Sequence, residues 1–413
     1  MSEQVRLIIR DDLERSRLTT FFRFFISIPH LIWLYLWGAA VGIMVFINWF
    51  VLLFRGEPLA TVHEIVGRYL RAVVHVYGFL FLAANPYPPF LGEPGRYPID
   101  LEVPPPGRQN RWKTGFRLIL AFPAILFGAA LIGSGGARSN GYNISLGVAV
   151  VAGFLAWFAI LARRTMPRGL RDLINYALAY TAQLDAYLFL LTDRYPNADP
   201  IAAIGPHPFE HPVRITVADD LERSRLTVFF RLLLAIPHLL FLLLWSIVAW
   251  LAAIANWFAT LFGGQPPEAL QRFLSSYIRY SIHVSAFVYL TANPFPGFTG
   301  RPGTYPVSVE LPPRERQNRW VTGFRLVLAI PALFISGSYG TLLGVAGFLG
   351  WFASLFTARM PRGLRNVSAV ALRYQAQVSA YVFLLTERYP YSGPTDPQLA
   401  EPPPVPAPEL SGV

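Results

Sequence analysis

The amino-acid sequence predicts an all-α polytopic membrane protein of four repeated units, each a short cytoplasmic β-strand, a helical hairpin and an amphipathic helix. Three observations predict it. First, 54% of the 413 residues are hydrophobic and 14% charged, with a mean hydropathy of +0.40; a soluble globular chain carries about 25% charged residues, so this one needs lipid around it. Second, the chain repeats itself. Third, glycine-rich polar stretches interrupt its long apolar segments, and such backbone cannot face hydrocarbon because each unpaired amide costs several kcal/mol.

The repeat sets the domain plan. DDLERSRLT at Asp11 to Thr19 returns unchanged at Asp219 to Thr227, RQNRW at Arg108 to Trp112 returns at Arg316 to Trp320, and MPRGLR at Met166 to Arg171 returns at Met360 to Arg365. Each half divides again, since FFRFFISIPHL around Arg23 answers GFRLILAFPAI around Arg117, and the pair recurs around Arg231 and Arg325. The expected organisation is a first half, 1–196, of units 1–92 and 93–196, then a linker, 197–212. A second half, 213–390, of units 213–300 and 301–390 follows. The Pro-rich tail, 391–413, has too little apolar surface to pack and is expected to be disordered.

Every unit opens with an alternating stretch, VRLII, YPIDLEV, HPVRITV or YPVSVEL, whose period of two predicts a short strand. A long apolar segment follows. In the third unit it runs from Leu226 to Phe262, roughly 55 Å as one straight helix, against a hydrocarbon core of about 30 Å. Polar backbone at Gly133 to Asn143 and at Ser336 to Gly340 marks bends. Each segment is therefore read as a hairpin whose second helix ends at Trp49, Trp157, Trp257 or Trp351, giving eight spans. The third unit has no glycine or proline near Ser246 and also admits one long helix bent at Pro237.

Under the hairpin reading the far-side turns hold a single basic residue, Arg138. The positive-inside tendency then places both termini in the cytoplasm of a multi-pass chain in the cell (plasma) membrane. No cleaved leader is expected, because MSEQVRLIIRDDLERSR carries charge where a leader needs an apolar run. The last helix of each unit is striped: Glu64, Arg68, Arg71 and His75, and likewise Glu268, Arg272, Ser275, Arg279 and His283, fall on one side of an apolar cylinder. Such a helix lies in the interface or lines a polar cavity.

The motifs FR-x-x-x-x-IPH at Phe22 to His30 and Phe230 to His238, the Trp-Phe helix ends, MPRGL, and LLT-D/E-RYP at Leu190 to Pro196 and Leu384 to Pro390 resemble the DUF4389 family. The resemblance implies a membrane protein of unknown function and supplies no catalytic residue. The chain departs from the pattern where Ala124 and Ala332 replace histidine, and where ANPYP and ANPFP replace RYP.

The chain has no cysteine, which excludes disulfides, thiolate metal sites and cysteine nucleophiles. No P-loop, GxSxG, HExxH or dinucleotide fingerprint is present, so no catalytic, cofactor or metal residue is assigned and no cofactor is expected. Arg23, Arg117, Arg231 and Arg325, each six residues before a helix proline, are candidates for lipid or anion contact, either by snorkelling or by bidentate phosphate binding. His30, His75, His238 and His283 are the candidate functional polar groups. Asp11, Asp12 and Glu14, with their repeats Asp219, Asp220 and Glu222, read as caps with nearby arginine partners rather than as Mg²⁺ ligands.

A net charge of +11 fits arginines gathered beside anionic lipid rather than nucleic acid. The expected role is a non-enzymatic membrane scaffold or accessory subunit that contacts anionic headgroups or a protein partner on the cytoplasmic face. A transporter with an Arg/His-lined path and an intramembrane lipid-acting enzyme are the alternatives.

Overall fold

The computed structural model describes residues 4–133 and 147–396, and the chain in it is mostly helical. The first unit holds β1 (Arg6–Ile9), α1 (Arg17–Arg55) and α2 (Ala60–Leu80). The second holds β2 (Ile99–Glu102), α3 (Arg111–Gly115), α4 (Arg117–Ile132), α5 (Val148–Arg163) and α6 (Arg168–Leu188), followed by α7 (Pro200–Ile204). The third holds β3 (Arg214–Val217), α8 (Arg225–Phe229), α9 (Arg231–Gly263) and α10 (Glu268–Val288). The fourth holds β4 (Val307–Glu310), α11 (Arg319–Gly323), α12 (Arg325–Thr357) and α13 (Arg362–Val382).

All four strands form where the alternation predicts them. They pair antiparallel within each half, β1 with β2 and β3 with β4, setting Leu7 opposite Leu101 and Ile215 opposite Val309.

The hairpins do not form in three of the four units. α1, α9 and α12 run unbroken through the expected bends, and these three helices are long and apolar enough to cross a membrane. The Ser336 to Gly340 stretch lies inside α12, where helical amides pair with carbonyls one turn back and so need no outside partner. Two of its side chains also find partners: Ser338 donates to the Phe334 carbonyl at 3.3 Å and the Tyr339 hydroxyl to the Ser392 carbonyl at 2.8 Å. Packing thus overrides the poor helix propensity of glycine. In the second unit the expected bend falls between α4 and α5, and apart from Gly133 it lies, with Arg138, outside the described residues.

Within each half the long helices run antiparallel and are tied at both ends. Trp49 donates its indole N–H to the Thr114 carbonyl and Trp157 to that of Thr20; Trp257 and Trp351 do the same to Thr322 and Val228. Beside three of these junctions an arginine caps the neighbouring helix: Arg17 donates to the Ala162 carbonyl, Arg225 to Phe356 and Arg319 to Phe262. At the fourth, Arg111 lies against Gly56, the left-handed cap of α1. Unpaired terminal carbonyls and the negative end of the helix dipole favour a cation at these places. Basic residues therefore flank both ends of the long helices, and the one-sided distribution that the hairpins implied is not observed.

The striped helices form a middle layer. On α2, Tyr69, Ala72 and Val76 pack toward Gly38 and Leu34 of α1. Gly67 and Gly78, about half a turn away by the 3.6-residue period, pack against Val103 and Ile99 at β2. Arg71 donates to the Leu101 carbonyl at 2.9 Å from the same side. The stripe thus faces the strands, α1 covers the opposite side, and α10 repeats the plan with Arg279 on the Val309 carbonyl.

The segment expected to be a linker and the start of the expected tail both pack. Asp199 caps α7 and accepts from the Asn366 amide at 2.8 Å. Phe209 stacks on Tyr391 at 4.7 Å, and Tyr391 donates to Asp172 at 3.4 Å. Arg373, 1% exposed, is bonded to the carbonyls of Gly393 and Thr395 and paired with Asp396. Residues 391–396 are held because a buried cation needs those oxygens; residues 397–413 lie outside the described residues.

Candidate functional site

The four arginines that the sequence offers for lipid or anion contact are all turned inward, at most 3% exposed. Each clamps the C-terminus of the striped helix in its own unit. Arg23 donates to the carbonyls of Phe79 and Ala84 at 2.8 and 2.9 Å. Arg231 donates to Phe287 and Ala292 at 2.7 and 3.2 Å. Arg117 bonds Tyr187 and Thr192, and Arg325 bonds Thr386. A ring of the clamped helix lies 4.2–4.6 Å from each guanidinium carbon: Phe79, Tyr187, Phe287 and Tyr381.

Local backbone makes these carbonyls converge. Just after each striped helix a leucine turns left-handed, Leu82, Leu190, Leu290 and Leu384 at φ 59 to 68°. A leucine pays about 1–2 kcal/mol for that conformation, offset by burial of its side chain to 3% or less. The last turn so folds back toward the arginine.

A side-chain amide completes every clamp. Asn293 accepts from Arg231 at 3.1 Å and Asn85 from Arg23 at 3.4 Å. In the other two units Gln109 and Gln317 of RQNRW accept from Arg117 and Arg325 at 2.8 and 2.5 Å. Each glutamine also donates to its left-handed leucine, Leu190 or Leu384. Asn110 and Asn318 cap α3 and α11, which leaves Trp112 and Trp320 77% and 78% exposed.

Two of the candidate histidines, His30 and His238, are held within their own unit, and the other two, His75 and His283, meet the strand segment of the unit that follows. His30 bonds the Pro88 carbonyl at 2.9 Å and stacks on Phe90 at 4.0 Å. His238 shares a 2.8 Å hydrogen bond with the Tyr280 hydroxyl and stacks on Phe298 at 4.2 Å. His75 lies 3.2 Å from Asp100 and beside Tyr97. His283 lies beside Tyr305, and Ser308 stands opposite Thr216 in the ladder where the first half has Asp100. Burial lowers the pKa of His75 below the ordinary value despite the carboxylate, and lowers that of His283 to about 4. Among the described residues no three His, Asp or Glu side chains group closely enough to hold a metal ion.

The arginine partners expected beside Asp11 and Asp219 are present, and further buried polar groups lie nearby. Arg15 and Arg223, 3% exposed, pair with Asp11 and Asp219 at 2.5 and 2.7 Å and bond the carbonyls of Leu82, Ala83 and Leu290. Asp12 and Asp220 accept the amides of Glu14 and Glu222 in the turn before the helix, while Ser16 and Ser224 stand at the N-caps of α1 and α8, so the acids are not the caps expected of them. Gln183 and Gln377 link Val5 and Val213 to the segments after RYP. A cavity of about 900 Å³ opens between the halves, lined by Phe158, Arg163, Arg168, Pro331, Tyr374 and Tyr391 among others. Its counterpart, lined by Pro123, Tyr180, Phe352 and Pro361, has about 310 Å³.

The repeated motifs also decide the family. A profile described as a domain of unknown function, DUF4389, matches residues 17–92, 142–198, 225–299 and 319–392. The chain belongs to the DUF4389 family. No curated protein and no solved structure matches it. Three of the four matched segments of this DUF4389 chain contain the arginine, its proline and the helix end it clamps; Arg117 and Pro123 lie outside the second match, which begins at residue 142.

Proposed function

We propose that this DUF4389 protein is a non-enzymatic membrane scaffold, anchored by its long apolar helices and offering its strand layer to a protein partner. The supporting observation is how the buried polar groups are used. In all four units the terminal guanidinium nitrogens bond carbonyls and side-chain amides of the same chain, so these groups serve to join helix ends. The strand side carries the exposed Glu64–Arg68 and Glu268–Arg272 pairs, with 53–75% of these side chains accessible. Arginines at the helix ends supply contacts to anionic headgroups.

The test is purification of the tagged chain from native membranes in mild detergent. Paired Arg68→Glu and Arg272→Glu substitutions serve as the control for specificity. A stoichiometric companion is expected with the unsubstituted chain and is expected to be lost on charge reversal. Recovery of the chain alone in repeated preparations overturns the proposal.

A further inference from the structure

We propose that the protein lies flat in one leaflet, with α1, α9 and α12 parallel to the membrane plane and the strand layer in water. This rests on the membrane reading above and adds a disposition that length and composition alone do not give.

The first argument is length. Along α1 a single stripe of side chains, Leu18, Phe25, Leu36, Ile43, Ile47 and Phe54, is 52–77% exposed. The stripe runs for about 54 Å at 1.5 Å per residue, whereas the hydrocarbon core is about 30 Å thick. To fit inside it α1 has to tilt by more than about 55°, beyond the roughly 0–40° seen for spanning helices. A helix in the plane meets no such limit.

The second argument is where the charges sit. A spanning protein is banded along its helix axes, apolar in the middle and polar at the ends. Here polarity changes across the axes instead. Gly38, near the midpoint of α1, packs against Tyr69, and the next residue along α2, Arg68, forms an exposed 2.7 Å ion pair with Glu64. The Arg96–Glu93 pair, 70% and 34% accessible, lies on the loop that Arg71 holds through the Gly92 carbonyl. Upright, both pairs would stand near the bilayer centre, where each charge costs about 2.5–3.5 kcal/mol or more. Flat, they face water while Leu18 to Phe54 face lipid.

The third argument is the basic flanks. Arg17 and Arg55 bound α1, and the junction arginines repeat at the other helix ends. Upright, these arginines divide between two membrane faces, against the positive-inside bias. Flat, they form one rim at headgroup level, and the long helices form a layer about 10 Å deep.

The chain has no native cysteine, so single-cysteine variants at Leu18, Phe25, Leu36, Ile43, Ile47 and Phe54 accept a nitroxide label without background. The labelled protein is floated with phosphatidylglycerol-containing vesicles, and depth is read from relaxation by oxygen against a water-soluble nickel chelate. The expected profile is flat, all six labels at one shallow depth. A profile that deepens toward Leu36 and Ile43 and becomes shallow again at both ends overturns the flat disposition alone. Failure to float with the vesicles overturns the membrane reading as well.

Discussion

Arg231 illustrates how one side chain can hold a repeat together. It is 1% exposed, its guanidinium lies over Phe287, and its two terminal nitrogens meet two carbonyls and the Asn293 amide oxygen. Arg231→Gln is expected to leave those acceptors unpaired and to cost about 3 kcal/mol, read as a lowered Tm in detergent. Arg231→Lys should recover less than half of that loss, since one ammonium cannot reproduce a planar fork. Comparable losses at Arg23, Arg117 and Arg325 are expected, whereas an anion site would instead leave stability nearly untouched and change phosphate affinity. His283 gives a second test at this scale. Its folded pKa of about 4 lies below the ordinary 6.5, so the fold prefers the neutral ring. That contribution is complete above about pH 6.5 and is lost as pH falls toward 4. His283→Gln, the residue type already present as Gln183 and Gln377, should flatten the Tm profile between those pH values.

Among the elements, what could be read from sequence depended on whether the signal was local. The four strands follow from alternation, and the striped helices from the spacing of Glu64, Arg68, Arg71 and His75. The hairpins failed because glycine propensity is a local quantity while α12 is held by its neighbours: Tyr339, 1% exposed, bonds the Ser392 carbonyl of a segment 53 residues away. The clamps were half legible. Arginine recurs at one offset from proline, and a complementary rule was also present: units that begin with RQN end in RYP, and units without RQN end in ANP. Only the fold shows that these two amides fill the same place. Ending the chain after Pro390 removes the partners of Arg373 and is expected to lower Tm by several degrees, and an added Arg373→Met substitution should restore part of the loss by removing the stranded cation.

At the scale of the whole molecule, an apolar helix layer and a charged strand layer are fastened by ties at each helix end. With a net charge of +11 and arginines around the rim, binding to vesicles is expected to strengthen with anionic lipid. High salt should weaken that increment, leaving the part due to the apolar face. Sedimentation with neutral and anionic vesicles at two salt concentrations separates the two contributions; a salt-independent affinity would show that the arginines do not meet headgroups. Sequence composition points to lipid contact, whereas the flat orientation proposed above rests on which sides of α2 meet α1 and β2, information that periodicity alone does not carry.

The crossing of segments between halves has a consequence for assembly. Asn197 and Asp199, which follow the first half, lie against Gly363 at the start of α13, and Ser392 and Gly393, which follow the second, lie against Gly169 at the start of α6. Each half lends its trailing arm to the other, as the partners of a swapped dimer do. Two halves synthesised separately in one cell are therefore expected to find each other through these exchanged arms, read as co-purification of a tagged half with its untagged counterpart.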